Sequence, residues 1–177
     1  MAQLIMVRHA KSDYPVGVAD FDRPLAKRGL REAPLMGPII AKWLVAETCV
    51  DAWISQARRT QQTWEQIGAA MIGEYQSSAT VTQHDERVLY EASALEIAQV
   101  ISQTNEGCAA IVVGHNPGVQ QVICDYAAEG GIRDEVAARF PTSTLVRLEW
   151  EGHWSQFPVG RLSAMEMVIA RPSADQD

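Results

Sequence analysis

Four residues from three distant stretches of the chain have the chemistry to hold and move a phosphoryl group: Arg8, His9, Arg59 and His115. Arg8 and His9 stand together in LIMVRHAKS, where an apolar run ends in a cation and an imidazole. His115 sits in AAIVVGHNPG, a second apolar run that ends in a polar loop. Arg59 lies in WISQARRTQQT, where a third short apolar stretch gives way to a helical pattern. Guanidinium forks stay charged and grip phosphoryl oxygens in pairs. Imidazoles attack phosphorus or donate to its oxygens, so such a set works without a metal or a cofactor. Each piece alone has a plainer reading: an accidental Arg-His pair, a capped turn, a solvated Arg58–Arg59 pair. Cations at a helix start oppose its dipole, however, and a bound anion there resolves the conflict.

The elements that must position these residues are legible as apolar periodicity. Residues 3–8 form a nearly unbroken apolar run, as expected of a strand buried on both faces. Residues 11–24 are polar and carry Pro15, Gly17, Asp20, Asp22 and Pro24, which reads as a loop. Leu30, Leu35, Ile39, Ile40, Trp43 and Leu44 predict a helix over 25–46, and Pro34 and Pro38 predict a kink or a break into two. A second buried strand is expected over 50–55, then a helix over 58–71 closed by Gly73. Residues 79–84 alternate like an edge or half-buried strand, and 92–104 carry helical spacing. The clearest buried strand is 109–114; Asn116 then reads as an N-cap and Pro117 as the first residue of a helix to about 128. Residues 129–141 are a polar excursion with room for a short helix, and 144–150 and 161–169 read as closing strands.

Strands alternating with helices predict an α/β three-layer sandwich, a mostly parallel central sheet with helices on both faces. One domain is expected over 1–170, with 171–177 as a frayed tail. In open sheets of this kind ligands bind beyond the carboxyl ends of the strands. His9 and His115 fall at such ends, and Arg59 falls at a helix start, where backbone N–H groups also favour anions.

Composition limits the alternatives. The 177 residues are 47% hydrophobic and 21% charged, which is ordinary for a globular protein, and the net charge is −7. An acidic chain with no basic run is a poor partner for DNA or RNA. The apolar stretch in MAQLIMVRHA is too short for a signal segment or a membrane span, so a cytoplasmic enzyme is expected. Cys49, Cys108 and Cys124 are odd in number and widely spaced, and read as buried thiols in a reducing compartment. A zinc site on His9 and His115 lacks Asp, Glu or Cys at ligand spacing, and the arginines would repel the ion. His84 and His153 have no evident role, and the scattered tryptophans suit packing.

As a set, VRHAKS (7–12), DFDRPLAKRG (20–29), SQARRTQQT (55–63), LYEAS (89–93) and VGHNPG (113–118) resemble the histidine phosphatase (phosphoglycerate-mutase-like) superfamily, in its SixA-type phosphohistidine phosphatase branch. The resemblance implies that His9 is the nucleophile, that Arg8 and Arg59 bind the phosphoryl oxygens and that His115 donates to them. It leaves Ser12 and Asn116 as either substrate contacts or a loop contact and a helix cap. Gln56 stands where the family usually has proline. The proton donor that larger relatives carry has two counterparts here, Glu91 and Glu86, both of which read equally well as solvated acids. A phosphorylated imidazole departs without a strong proton donor, whereas an alkoxide does not. The resemblance therefore implies a metal-independent phosphatase acting on a phosphohistidine protein of the histidine-phosphotransfer type. A small-molecule phosphomonoesterase is the alternative, a mutase or a non-catalytic phosphate-binding module lies behind it, and oligomeric state is left open.

Overall fold

The first strand, Ala2–Arg8 (β1), sends Leu4 and Met6 to one side and Ile5 and Val7 to the other, and all four are fully buried. The structure, a computed structural model, describes residues 1–71 and 79–172. After β1 come a helix at Lys27–Trp43 (α1), strand Cys49–Ser55 (β2), helix Arg58–Ala70 (α2), strand Thr80–Glu86 (β3) and helix Ala94–Ile101 (α3). Strand Ala109–Gly114 (β4), helices Gly118–Tyr126 (α4) and Gly131–Ala138 (α5), and strands Thr144–Glu151 (β5) and Arg161–Ile169 (β6) complete the order.

The six strands form one sheet in the order β3-β2-β4-β1-β5-β6. Strands β3, β2, β4 and β1 are mutually parallel, while β5 runs antiparallel to both β1 and β6. One core packs Ile5, Val7, Ile54, Ile111 and Val113 against Met36 and Ile40 of α1 and Ile67 of α2. The other packs Leu4, Met6, Trp53 and Val112 against Ile97 of α3, Val122 of α4 and Val136 of α5. The architecture is the expected three-layer α/β sandwich. Strand β4, paired on both edges and covered on both faces, is buried at every position, which is why its apolar run is unbroken. Strand β3 lies at the sheet edge, as its alternation predicts.

Several expectations are corrected. Pro34 and Pro38 lie inside one continuous helix, not at a break. The face holding Ala33, Met36 and Ile40 packs on the sheet across both prolines, and that burial outweighs the missing backbone donors. Asn116 does not cap α4: its side-chain amide donates to Gln120 Oε1 at 2.9 Å, and the helix begins at Gly118 after a cis Asn116–Pro117 bond.

Cys49 and Cys108 are joined in a disulfide, with Cα atoms 4.8 Å apart. They precede Val50 and Ala109, which face each other across β2 and β4, so sheet pairing brings together thiols separated by 59 residues. The bond removes the cysteine-based reason to expect a reducing compartment; Cys124 remains a free thiol. Arg171 is not frayed, since it pairs with Glu32 at 3.0 Å and donates to the Thr142 carbonyl at 3.1 Å. Gly73 and the rest of the expected tail, 173–177, lie outside the described residues. No helix among the described residues is long and apolar enough to cross a membrane.

Candidate active site

Strands β1 and β4 are parallel neighbours in register, with Arg8 opposite Gly114, so the residues that follow them emerge side by side. The ladder continues one step, His9 N–H donating to the Gly114 carbonyl at 3.1 Å. The rings of His9 and His115 consequently lie 5.1 Å apart, tilted at 58°. On the other side of β4, β2 ends at Ser55, whose hydroxyl pairs with His115 Nε2 at 2.9 Å. Helix α2 begins three residues later and carries Arg59 into the same place, where Arg59, His9 and His115 are all buried. Arg8 stands beside them, its guanidinium donating to the Phe140 carbonyl. The structure thus brings together all four residues singled out from the sequence.

His9 is held from several directions. Its Nδ1 lies 2.7 Å from the Ala10 carbonyl, which can only accept, so the ring proton sits on Nδ1 and the Nε2 lone pair is free. Ala10 N–H donates to Thr63 Oγ1 at 3.0 Å, tying the loop to α2. The His9 carbonyl accepts from Ser143 N–H at 3.1 Å, and Ser143, a non-glycine residue at φ 61°, donates its hydroxyl to Glu32 Oε2 at 2.7 Å. Glu32 is fully buried and also takes Arg28 at 2.7 Å and Arg171 at 3.0 Å. His115 is fixed through its carbonyl, which accepts from Val119 N–H at 3.0 Å as the opening bond of α4.

Two close approaches seat the surrounding loops. A Cβ on Gly29 would lie 2.2 Å from the Lys11 carbonyl oxygen, and one on Gly118 would lie 2.1 Å from that of Ala92. Any side chain at either position would push α1 off the loop after His9, or α4 off the stretch that carries Tyr90.

Both imidazoles are held uncharged. Burial is the largest influence on His9, then the His115 ring, then Arg59 and Arg8; together they outweigh the Ala10 hydrogen bond and lower its pKa to about 3. Burial and Arg59 likewise bring His115 to about 3, with Asp20 opposing. Burial, more than the neighbouring arginines, keeps His9 neutral.

The outer wall comes from the loop after β1, and most of it was not singled out from the sequence. Arg59 donates to the Asp20 backbone carbonyl at 2.6 Å and to Asp20 Oδ2 at 3.1 Å. Tyr90 donates its hydroxyl to the same Oδ2 at 2.8 Å, and its ring stands edge-on to His115 at 5.6 Å. Arg23 binds Asp20 Oδ1 and Ser12 Oγ, each at 2.6 Å, and lies 3.3 Å over the Tyr14 ring. Ser12 thus contacts Arg23 within this loop. Asp20 and Arg23 lie in the quoted DFDRPLAKRG stretch and Tyr90 in LYEAS, so the signal was present without a role attached. Ser143 left no comparable trace.

Glu91 is exposed at φ 57°, and among the described residues no hydrogen bond joins Glu91 or the side chain of Glu86 to the pocket. Gln56, at the position where the family has proline, donates its side-chain amide to the Asp85 carbonyl at 2.9 Å, and Arg59 keeps its place.

One buried and one half-buried cationic fork around two uncharged imidazoles, at the carboxyl ends of a mainly parallel sheet, define a class: α/β proteins built to take a phosphoryl dianion into a pocket. Comparison with known proteins narrows that class. Residues 4–82 match the histidine phosphatase superfamily (branch 1). An uncharacterised protein of Mycobacterium tuberculosis is 35% identical over 172 residues, spanning 93% of this chain and 100% of its own. Among solved structures, one assigned as a SixA phosphohistidine phosphatase from Nakamurella multipartitia superposes with a TM-score of 0.78 at 25% identity, over 96% of each chain. The protein histidine phosphatase SixA in complex with tungstate shares the fold at TM-score 0.71 and 20% identity, over 94% of this chain and 96% of its own. The chain belongs to the histidine phosphatase superfamily, whose members are phosphatase- or mutase-type enzymes.

Proposed function

We propose that this protein is a metal-independent phosphatase that works through a phosphohistidine intermediate on His9, and that its substrate is a phosphorylated histidine on a partner protein. The observation that carries the reading is the state of His9: a buried, neutral imidazole with Nδ1 tied to the Ala10 carbonyl and Nε2 free among arginines. In the first step the Nε2 lone pair forms a bond to phosphorus while the bond to the leaving nitrogen breaks, its electron pair staying on that nitrogen. In the second, water adds to phosphorus and the phosphorus–His9 bond breaks, releasing inorganic phosphate. Arg59 and Arg8 hold the equatorial oxygens, and His115 stands beside them as charge builds.

Neither Glu91, Glu86 nor Asp20 offers a proton to a leaving oxygen. Glu91 is exposed, neither it nor Glu86 is bonded into the pocket, and Asp20 is held at a pKa of about 2, chiefly by the Tyr90 hydroxyl, so it carries no proton at working pH. A protonated imidazole departs without help, whereas an alkoxide needs a donor. The interleaving of early and late strands in one sheet supports treating 1–170 as one functional domain.

The test is a comparison of kcat/KM on a phosphorylated histidine-phosphotransfer protein and on small phosphate esters. A preference for the protein is expected, with phosphate on His9 detectable by mass spectrometry after alkaline quenching. A clear preference for sugar phosphates would reject the substrate assignment.

A further inference from the structure

Among the described residues, Asp20 is the one acidic side chain bonded to the Arg59 guanidinium. It is locked in place: Oδ1 accepts from Arg23 at 2.6 Å, and Oδ2 accepts from Tyr90 at 2.8 Å and Arg59 at 3.1 Å. Arg23 in turn is fixed by Ser12, by the Asp13 carbonyl at 2.8 Å and by the Tyr14 ring. The carboxylate cannot swing aside without breaking that chain, yet its side chain is 49% exposed and faces solvent at the rim. Each nitrogen of Arg59 that serves Asp20 keeps a second N–H, and Nε keeps its own, so a phosphoryl group held by Arg59 shares the guanidinium with a fixed anion.

We propose that Asp20 determines leaving-group specificity: its carboxylate favours substrates whose leaving group is a protonated imidazole and disfavours those with a second anion beside the phosphoryl group. This rests on the phosphohistidine reading above and deepens it. In a phosphorylated imidazole protonated on its far nitrogen, the ring is cationic. When His9 Nε2 bonds to phosphorus and the phosphorus–nitrogen bond breaks, the electron pair returns to the ring, which leaves neutral with its proton retained. A carboxylate facing the ring stabilises the protonated form and so keeps the good leaving group populated at higher pH. The other charged or titratable groups around Asp20 are Arg59 on α2, Arg23 and Tyr14 on its own loop, Tyr90 with Arg87 and Glu91 beyond β3, and His115 after β4. Arg23 and Arg87 are turned onto aromatic faces, Tyr14 and Phe21, at 3.3 and 3.8 Å.

The experiment uses phosphoimidazole, phenyl phosphate and 4-carboxyphenyl phosphate with the wild-type protein, D20N and Y90F. D20N keeps the backbone carbonyl that holds Arg59 and removes the anion sharing its guanidinium, so inorganic phosphate should inhibit it at least as tightly as the wild type. Its kcat/KM for phosphoimidazole should fall by about tenfold relative to phenyl phosphate, the equivalent of one pKa unit of lost stabilisation. The basic limb of kcat for phosphoimidazole should move to lower pH, and the carboxyphenyl-to-phenyl ratio should rise. Y90F, which loosens the carboxylate without removing it, should shift each quantity the same way by less. Equal losses on all three substrates would overturn the proposal and leave Asp20 as a positioning residue for Arg59. A wild-type preference for phenyl phosphate over phosphoimidazole, with the carboxyphenyl ratio still rising in D20N, would reject the phosphohistidine substrate while sustaining charge selection by Asp20.

Discussion

His9 and His115 are 5.1 Å apart, and two protonated imidazoles at that distance, next to Arg59, would repel each other and the guanidinium. Keeping both neutral leaves the arginines as the permanent charges and the His9 lone pair as the reactive group. Ring-nitrogen NMR shifts of the free protein should therefore show neither residue titrating between pH 5 and 8; a midpoint near 6.5 would mean the pocket is far wetter than described. The same shift has a consequence for stability. Each pKa is depressed from its ordinary value of 6.5 to about 3 on folding, so below pH 6.5 the unfolded chain binds more protons than the folded one. Stability from these two residues is full above pH 6.5 and declines as the pH falls toward 3; replacing both by Asn should flatten that part of the melting-temperature profile. At His9 itself, H9A should abolish turnover while inorganic phosphate still binds, and turnover that persists would reject the covalent mechanism.

At the scale of elements, the pocket depends on β1 and β4 ending in register and on what holds the loops beyond them. Glu32, on the buried face of α1, reaches Ser143 just before β5, and Ser143 holds the His9 carbonyl. A helix, a strand end and the segment at Arg171 thus converge on the backbone of the nucleophile. E32A leaves the buried Ser143 hydroxyl without its acceptor and removes the carboxylate from two partly exposed arginines, which should cost about 1–3 kcal/mol of stability. It should also lower kcat by about ten- to a hundredfold through misplacement of His9, with phosphate affinity little changed. E32Q, which still accepts from Ser143, should restore part of the loss in kcat, an outcome that a purely structural role would not give.

For the molecule as a whole, the sheet separates two functions by polarity. The pocket lies at the carboxyl ends of β1, β2 and β4, while the Cys49–Cys108 bond joins β2 and β4 at their opposite, amino-terminal ends. A cross-link across 59 residues stabilises by about 2–4 kcal/mol, chiefly through the unfolded chain. The C49S/C108S variant should therefore melt several degrees lower with kcat/KM nearly unchanged, measured by thermal denaturation and assay in parallel. A large loss of activity in the folded variant would show that the two ends of the sheet are coupled.

The amino-acid sequence by itself determined the fold class and the four residues of the pocket. Burial on both faces writes an unbroken apolar run into β1 and β4, and a polar residue ending such a run is conspicuous. It did not determine the helix through Pro34 and Pro38, the start of α4 or the pairing of Cys49 with Cys108. Those depend on which surface a segment packs against and which strands become neighbours, and a local pattern carries neither. Nor did it assign a task to Asp20, Tyr90, Ser143 or Glu32. Their roles arise from contacts between residues 39, 70 and 111 positions apart, which exist only once the sheet has set its order.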